Sequence, residues 1–183
     1  LIRAAIIHYQ FETIHPYPDG NGRLGWLMIT LMLVEKQLID RPLLYLSLFF
    51  KEHKKKYYDL LMDVRMRGDW EEWFKFFLRG VRHTSTEAVT TAKDILKLLN
   101  QDRIKVTKHS TKSKNTGVAF DRVCEKPIFN VTALAKDLNV TYPTAMQQVD
   151  ALIKLGILVE VGNKERDRLF TYEKYLEILR RGT

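Results

Sequence analysis

From residue 2 onward the apolar positions recur at helical intervals. Ile2, Ala5, Ile6, Tyr9 and Ile14 form a stripe that predicts a helix with these side chains on its core face. His15-Pro-Tyr-Pro-Asp-Gly-Asn-Gly follows, and its two prolines and two glycines end any regular element. Arg23 to Leu38 is then a dense apolar run, with Leu24, Trp26, Leu27, Met28, Ile29, Leu31, Met32, Leu33 and Val34. That density predicts a helix buried on most sides. Pro42 separates it from Leu43 to Arg67, where Leu46, Phe50, Tyr57, Leu60, Leu61 and Val64 again keep helical spacing. Gly68-Asp69 makes a turn, with Asp69 as N-cap for a helix from Trp70 to Leu99. No strand pattern precedes residue 100.

Beyond that point the pattern changes. Ser110 to Gly117 is rich in Ser, Thr, Lys, Asn and Gly and reads as a mobile connection. Asn130 to Leu138 predicts a short helix, Asn139 to Pro143 a turn, and Thr144 to Leu155 a second helix. Two β-rich runs, Ile157–Val161 and Arg168–Tyr172, then flank Gly162-Asn-Lys-Glu-Arg-Asp as a hairpin. Helix, turn, helix and a two-stranded wing make a winged helix-turn-helix. The expected class is mainly α: a helical core over 1–100, a basic linker over 101–118 and a small α+β winged helix-turn-helix domain over 119–183.

Composition narrows the setting. Over 183 residues, 45% are hydrophobic and 28% charged, a globular balance that excludes a disordered chain. No run approaches the ~18 apolar residues of a membrane span. The single cysteine, Cys124, excludes an intramolecular disulfide, and no Cys/His cluster has zinc-ligand spacing. A reducing cytoplasm is the expected home. The net charge of +8 raises a nucleic-acid partner, but the excess is local. Arg103, Lys105, Lys108, Lys112 and Lys114 stand together without an acid, whereas from Ala119 to the end 10 basic residues face 9 acidic ones. Leu1-Ile-Arg-Ala-Ala-Ile-Ile-His lacks a Met or a capping residue and reads as the interior of a helix, the expectation for a fragment.

Candidate chemistry concentrates between His15 and Arg23. A helix delivers His15, and Gly20-Asn21-Gly22 leads straight into the next helix. Glycines let a ligand approach the backbone, and a helix N-terminus offers unpaired N–H groups to an anion. Arg23 adds a fork of donors that suits phosphate oxygens. A cation in the first helical turn opposes the helix dipole, a conflict that a bound polyanion resolves. Asp19 is a hard oxygen ligand placed to hold Mg²⁺ beside phosphates, and His15 is a group able to take a proton near neutrality. The alternative is an interhelical loop with Asp19 and Asn21 as caps and His15 as a satisfied C-cap or core histidine. Elsewhere, Lys51 to Lys56 reads as a solvated helix face, and His53 and His83 have no partner at ligand spacing. Trp70, Trp73, Phe76 and Phe77 read as core.

His15-Pro-Tyr-Pro-Asp-Gly-Asn-Gly-Arg23 resembles the signature of the Fic family, His-Pro-Phe-x-Asp-Gly-Asn-Gly-Arg-x-x-Arg. His8-Tyr-Gln-Phe-Glu-Thr-Ile looks like the helix leading into that signature. Tyr57-Tyr-Asp-Leu-Leu and Gly68-Asp-Trp-Glu-Glu-Trp look like later helices of the same fold, so the resemblance extends over about residues 1–82. Residues 119–178 resemble the winged-helix module of one bacterial subgroup. The resemblance implies transfer of AMP from ATP to a Tyr, Ser or Thr hydroxyl of a target protein, with release of pyrophosphate. It places His15 as general base, Asp19 as Mg²⁺ ligand, Gly20, Asn21 and Gly22 as the phosphate-binding hole, and Arg23 as the first phosphate-binding arginine. Tyr17 takes the place of an apolar anchor that packs the loop down. Tyr58 matches a position near the adenine, with a plain helix tyrosine as its alternative.

Two departures set up a second hypothesis. The family's second arginine is Trp26 here, and an indole N–H donates one bond and carries no charge. A target-clamping hairpin and an inhibitory Ser/Thr-x-x-x-Glu-Gly or Ser/Thr-x-x-x-Glu-Asn helix are also not found. The alternative is therefore a catalytically weak regulator or adaptor acting through its winged helix. In that module Thr141 to Leu155 has Gln147, Gln148 and Lys154 but also Asp150 and no arginine. Weak or no DNA binding is expected, with Tyr142, Pro143 and Met146 meeting a protein partner or a second copy in a homodimer.

Overall fold

The computed structural model describes residues 1–39, 45–109, 115–162 and 168–181. The chain divides into two compact units, Leu1–Thr90 and Thr91–Gly182. It is mainly helical, with one small three-stranded sheet. No helix among the described residues is long and apolar enough to cross a membrane.

The first unit holds α1 (Ile2–Ile14), α2 (Asn21–Glu35), α3 (Leu46–Glu52), α4 (Lys54–Arg67) and the start of α5 (Trp70–His109). Its core is Ala4, Ala5, Tyr9, Ile29, Leu33, Phe49, Phe50, Tyr57, Leu60, Trp73 and Phe77 with their neighbours. The buried face of α1 keeps only Ala5 and Tyr9 of the expected stripe. Ala4, Ala5, His8 and Tyr9 are buried, whereas Ile2, Ile6 and Ile14 are exposed. Small residues let α1 come close enough for the Trp73 indole N–H to donate to the Ala5 carbonyl at 3.1 Å. In α2 the buried residues are Asn21, Gly25, Ile29 and Leu33, a single stripe, and Leu24, Leu27 and Leu31 are exposed. That helix is one-sided and not buried on most sides. Pro42 lies outside the described residues. The helix expected over Leu43–Arg67 is broken at His53, where Nδ1 bonds the Phe49 carbonyl oxygen at 2.9 Å and ends α3. Asp69 caps α5 as expected, its carboxylate accepting the Glu72 N–H at 3.4 Å.

The second unit begins within α5, which runs ten residues past the expected end at Leu99. The basic linker expected over 101–118 is helical at both ends: 101–109 belong to α5 and 115–118 open α6 (Asn115–Glu125). Residues 110–114, with Lys112 and Lys114, lie outside the described residues. The helix persists because its apolar face does: Leu98, Leu99 and Val106 pack into the second core, and Asp102 is buried beside them. There follow β1 (Ile128–Asn130), α7 (Val131–Leu138), α8 (Tyr142–Lys154), β2 (Val159–Val161), β3 (Leu169–Thr171) and α9 (Glu173–Arg181). The helices start on chemistry visible in the chain, with Asn130 capping α7 and Thr141 capping α8. The antiparallel sheet has the order β1-β3-β2, with Phe129 opposite Phe170 and Glu160 opposite Phe170 on the other side. Phe129 and Phe170 face the core of Phe120, Val123, Leu134, Val149, Leu152 and Leu158. Lys164, Glu165, Arg166 and Asp167 of the expected hairpin lie outside the described residues.

Candidate active site

The α1–α2 connection begins with a chain reversal at His15. This residue is the C-cap of α1 and takes a left-handed backbone (φ 50, ψ 58), its N–H donating to the Phe11 carbonyl at 3.0 Å. Its imidazole is exposed and makes no hydrogen bond among the described residues. The loop is then closed by Asn21. Its Oδ1 accepts the Tyr17 N–H at 3.0 Å and its Nδ2 donates to the Tyr17 carbonyl at 2.5 Å, so one buried amide clasps both main-chain polar groups of one residue. Tyr17 is 52% exposed. Its side chain does not pack the loop down as expected; the Tyr17 backbone does, through Asn21.

Gly20 is the N-cap of α2 at φ 83, a left-handed turn that a side chain would strain. Leu24 is the first residue of α2 to donate back, to the Gly20 carbonyl at 3.0 Å. The N–H groups of Asn21, Gly22 and Arg23 have no acceptor among the described residues, and a Cβ on Gly22 would meet nothing within 4 Å. The head of α2 is thus an open donor cradle. Asp19 and Arg23 flank it, 93% and 77% exposed, with a single contact of 3.4 Å between them. Asp19 Oδ1 also accepts the Gly20 N–H at 2.7 Å. Mg²⁺ in phosphate sites takes one or two carboxylates and keeps several waters, a demand that one exposed, loosely engaged carboxylate fits. No cluster of three metal-ligating side chains occurs among the described residues.

Behind the loop lies a buried polar group that the sequence did not mark as functional. His8 is fully buried, with Nε2 2.9 Å from the Tyr57 hydroxyl of α4. Burial lowers its pKa to about 4. Glu12, one turn later, is half-buried and its carboxyl is raised above the usual range by the same cause, with His15 acting in the opposite sense. Gly25 makes room for both: a Cβ there would stand 2.5 Å from Glu12 Oε1 and 3.0 Å from His8 Nδ1. The signals were a His and a Glu at i, i+4 on α1 and a lone glycine inside an apolar helix. Trp26 packs against the first core with its indole N–H buried and unpartnered. Tyr58 is exposed on α4, its ring edge-on to Tyr57 at 5.1 Å.

Residues 1–33 match the Fic/DOC family. Over 38 residues the chain is 47% identical to a probable protein adenylyltransferase of Aquifex aeolicus, covering 21% of this chain and 12% of that protein. Over 73 residues it is 36% identical to the protein adenylyltransferase Fic of Aedes aegypti, covering 40% of this chain and 13% of the relative. The Fic protein of Culex quinquefasciatus matches to the same extent. The chain spans a small part of the curated relatives it matches. The matched residues 1–33 contain α1, the clasped loop and most of α2, so the donor cradle, Asp19, Arg23 and His15 all fall inside the match.

Proposed function

We propose that the chain belongs to a protein adenylyltransferase that moves AMP from ATP to a Tyr, Ser or Thr hydroxyl of a target protein. The head of α2 carries this reading: three peptide N–H groups without acceptors, an exposed guanidinium and an exposed carboxylate, all following an exposed imidazole. Triphosphate oxygens suit the N–H groups of Asn21, Gly22 and Arg23, and the Arg23 fork adds charge-assisted bonds. Asp19 is the residue to hold Mg²⁺, which when bound neutralises phosphate charge. His15 takes the acceptor hydroxyl's proton while its oxygen bonds to the α-phosphorus. The bond from that phosphorus to the bridging oxygen breaks, and pyrophosphate leaves with the electron pair. In this reading Tyr58, exposed on α4, serves the adenine.

For the second unit we propose a winged helix that meets a protein partner or a second copy. Two helices followed by a hairpin support it, as do the exposed Tyr142 and Pro143 at the head of α8. Gln148 is buried and accepts the Thr116 hydroxyl at 2.7 Å, which removes it from any base-reading face. A weakly active regulator is the second reading, favoured by Trp26, whose ring is committed to the core at the place of a second phosphate-binding arginine.

The test is incubation of the 183-residue chain with ATP labelled at the α-phosphate and a bacterial lysate. Labelled protein is expected, and His15→Ala should lose it by ~10²–10⁴-fold. Retention of more than about a tenth of the label in that variant overturns the assignment of the base. Absence of label from the parent chain, with its fold intact, selects the regulator.

A further inference from the structure

In the first unit, the end of α3, the first turn of α4 and the early part of α5 line a cavity of about 350 Å³ that is open to solvent. Phe49, His53, Lys56, Phe76, Arg79 and His83 line it. Its back wall is aromatic. The His53 ring stacks on Phe49 at 4.3 Å, while Phe76 and His83 lie 5.3 and 5.7 Å from the same ring. Gly80 fixes that wall. A Cβ there would stand 2.7 Å from Phe49 Cδ1, so only glycine lets the ring seat against α5.

The rim is cationic. Lys56 and Arg79 make no ion pair with a described carboxylate. Glu72 acts on both only at longer range and is hydrogen-bonded to Lys75 at 2.8 Å. Glu87 stands 3.4 Å from His83 Nε2. His53 donates from Nδ1 to the Phe49 carbonyl, and its Nε2 has no hydrogen-bond partner among the described residues. None of the six lining residues is acidic; Glu87 reaches only the His83 side of the opening, and Lys56 and Arg79 stay unpaired among the described residues.

We propose that this cavity binds an aromatic phosphomonoester. Its phosphate lies between the Arg79 guanidinium and the Lys56 ammonium, with His53 and His83 as further donors once protonated. Its ring lies against the phenyl and imidazole wall. The charge favours a dianion over a simple carboxylate, the aromatic wall favours a planar group, and the volume lies at the small end of ligand sites. This site is independent of the adenylyltransferase reading.

Phenyl phosphate titrated into the isotope-labelled chain and followed by NMR is the direct test. Saturable shifts are expected at His53 and His83. Arg79→Gln should weaken binding roughly tenfold, the loss of one charge-assisted bond, with an unchanged melting curve because Arg79 is exposed. Inorganic phosphate should bind more weakly than phenyl phosphate. AMP and O-phosphotyrosine form two further arms, and the tighter of them identifies a nucleotide or a phosphorylated side chain as the source. His15→Ala should bind like the parent chain. No saturable shift, equal affinity in folded Arg79→Gln, or equal affinity for inorganic phosphate overturns the proposal. So does loss of binding in His15→Ala, which would place the ligand at the α1–α2 loop.

Discussion

The Tyr57 hydroxyl and His8 Nε2 share a hydrogen bond of 2.9 Å across 49 residues of chain, inside a cage formed by Phe50 and Trp73. The cage keeps the imidazole neutral: its pKa falls from 6.5 to about 4. The unfolded chain therefore binds the extra proton first. The stability derived from a neutral His8 is complete above pH 6.5 and is lost as pH falls toward 4, about 3 kcal/mol in all. Glu12 runs the other way, since a raised carboxyl pKa favours the fold as pH falls. The His8 Cε1 proton resonance should stay at its neutral position until near pH 4. A midpoint near 6.5 would mean that water reaches the ring.

Gly25→Ala should destabilise the first unit by about 1–3 kcal/mol, the usual cost of an extra methyl group in a packed interior. The new carbon meets the Glu12 carboxylate and the His8 ring, and the ring is held by Tyr57. Urea denaturation would measure it. A variant as stable as the parent would show that α1 slides away from α2 without cost.

Gly22→Ala separates folding from binding. A Cβ there touches nothing, and alanine is the better helix former by about 1 kcal/mol. The variant should melt no lower than the parent chain, yet lose ATP in a calorimetric titration because the methyl group occupies the space a phosphate needs. Unchanged ATP affinity would move the phosphates off the head of α2.

Asp102 is buried in the second unit, where it accepts the Tyr172 hydroxyl at 2.6 Å and the Lys105 ammonium at 2.5 Å. Burial, and then this carboxylate, push the Tyr172 hydroxyl well above its ordinary pKa. Asp102→Ala leaves that hydroxyl buried without an acceptor and should cost about 3 kcal/mol. Tyrosine fluorescence during denaturant unfolding would report it. A loss well under 1 kcal/mol would mean that water replaces the carboxylate.

The candidate site was legible because its parts are contiguous. A nine-residue string holds His15, Asp19, the glycines and Arg23, and local rules connect each residue type to a role. What supports that string was not legible. His8 meets Tyr57 through the fold alone, and the face of α1 that buries two alanines and a histidine is less apolar than the face it leaves exposed. Periodicity therefore found Ala5 and Tyr9 but added Ile2, Ile6 and Ile14 to them. His53 and His83 stand 30 positions apart and come to one phenyl ring only when α3 packs on α5. Strand β1 has three residues, too short for alternation to show. The extension of α5 was hidden by its polar face, since Lys and Arg between 103 and 108 suggested a linker while Leu98, Asp102 and Val106 kept the helical period.

The left-handed backbone at His15 gives one residue two separable duties. Under the proposed function its imidazole takes the acceptor's proton, while its main chain reverses direction at φ 50, where most side chains are strained and asparagine is tolerated. Alanine at this position removes a base and loads the bend in the same stroke. Asparagine keeps the bend and removes only the base. The two replacements are therefore unequal controls: the difference between His15→Ala and His15→Asn measures how far nucleotide handling depends on the shape of the loop, and what the two have in common measures the chemistry.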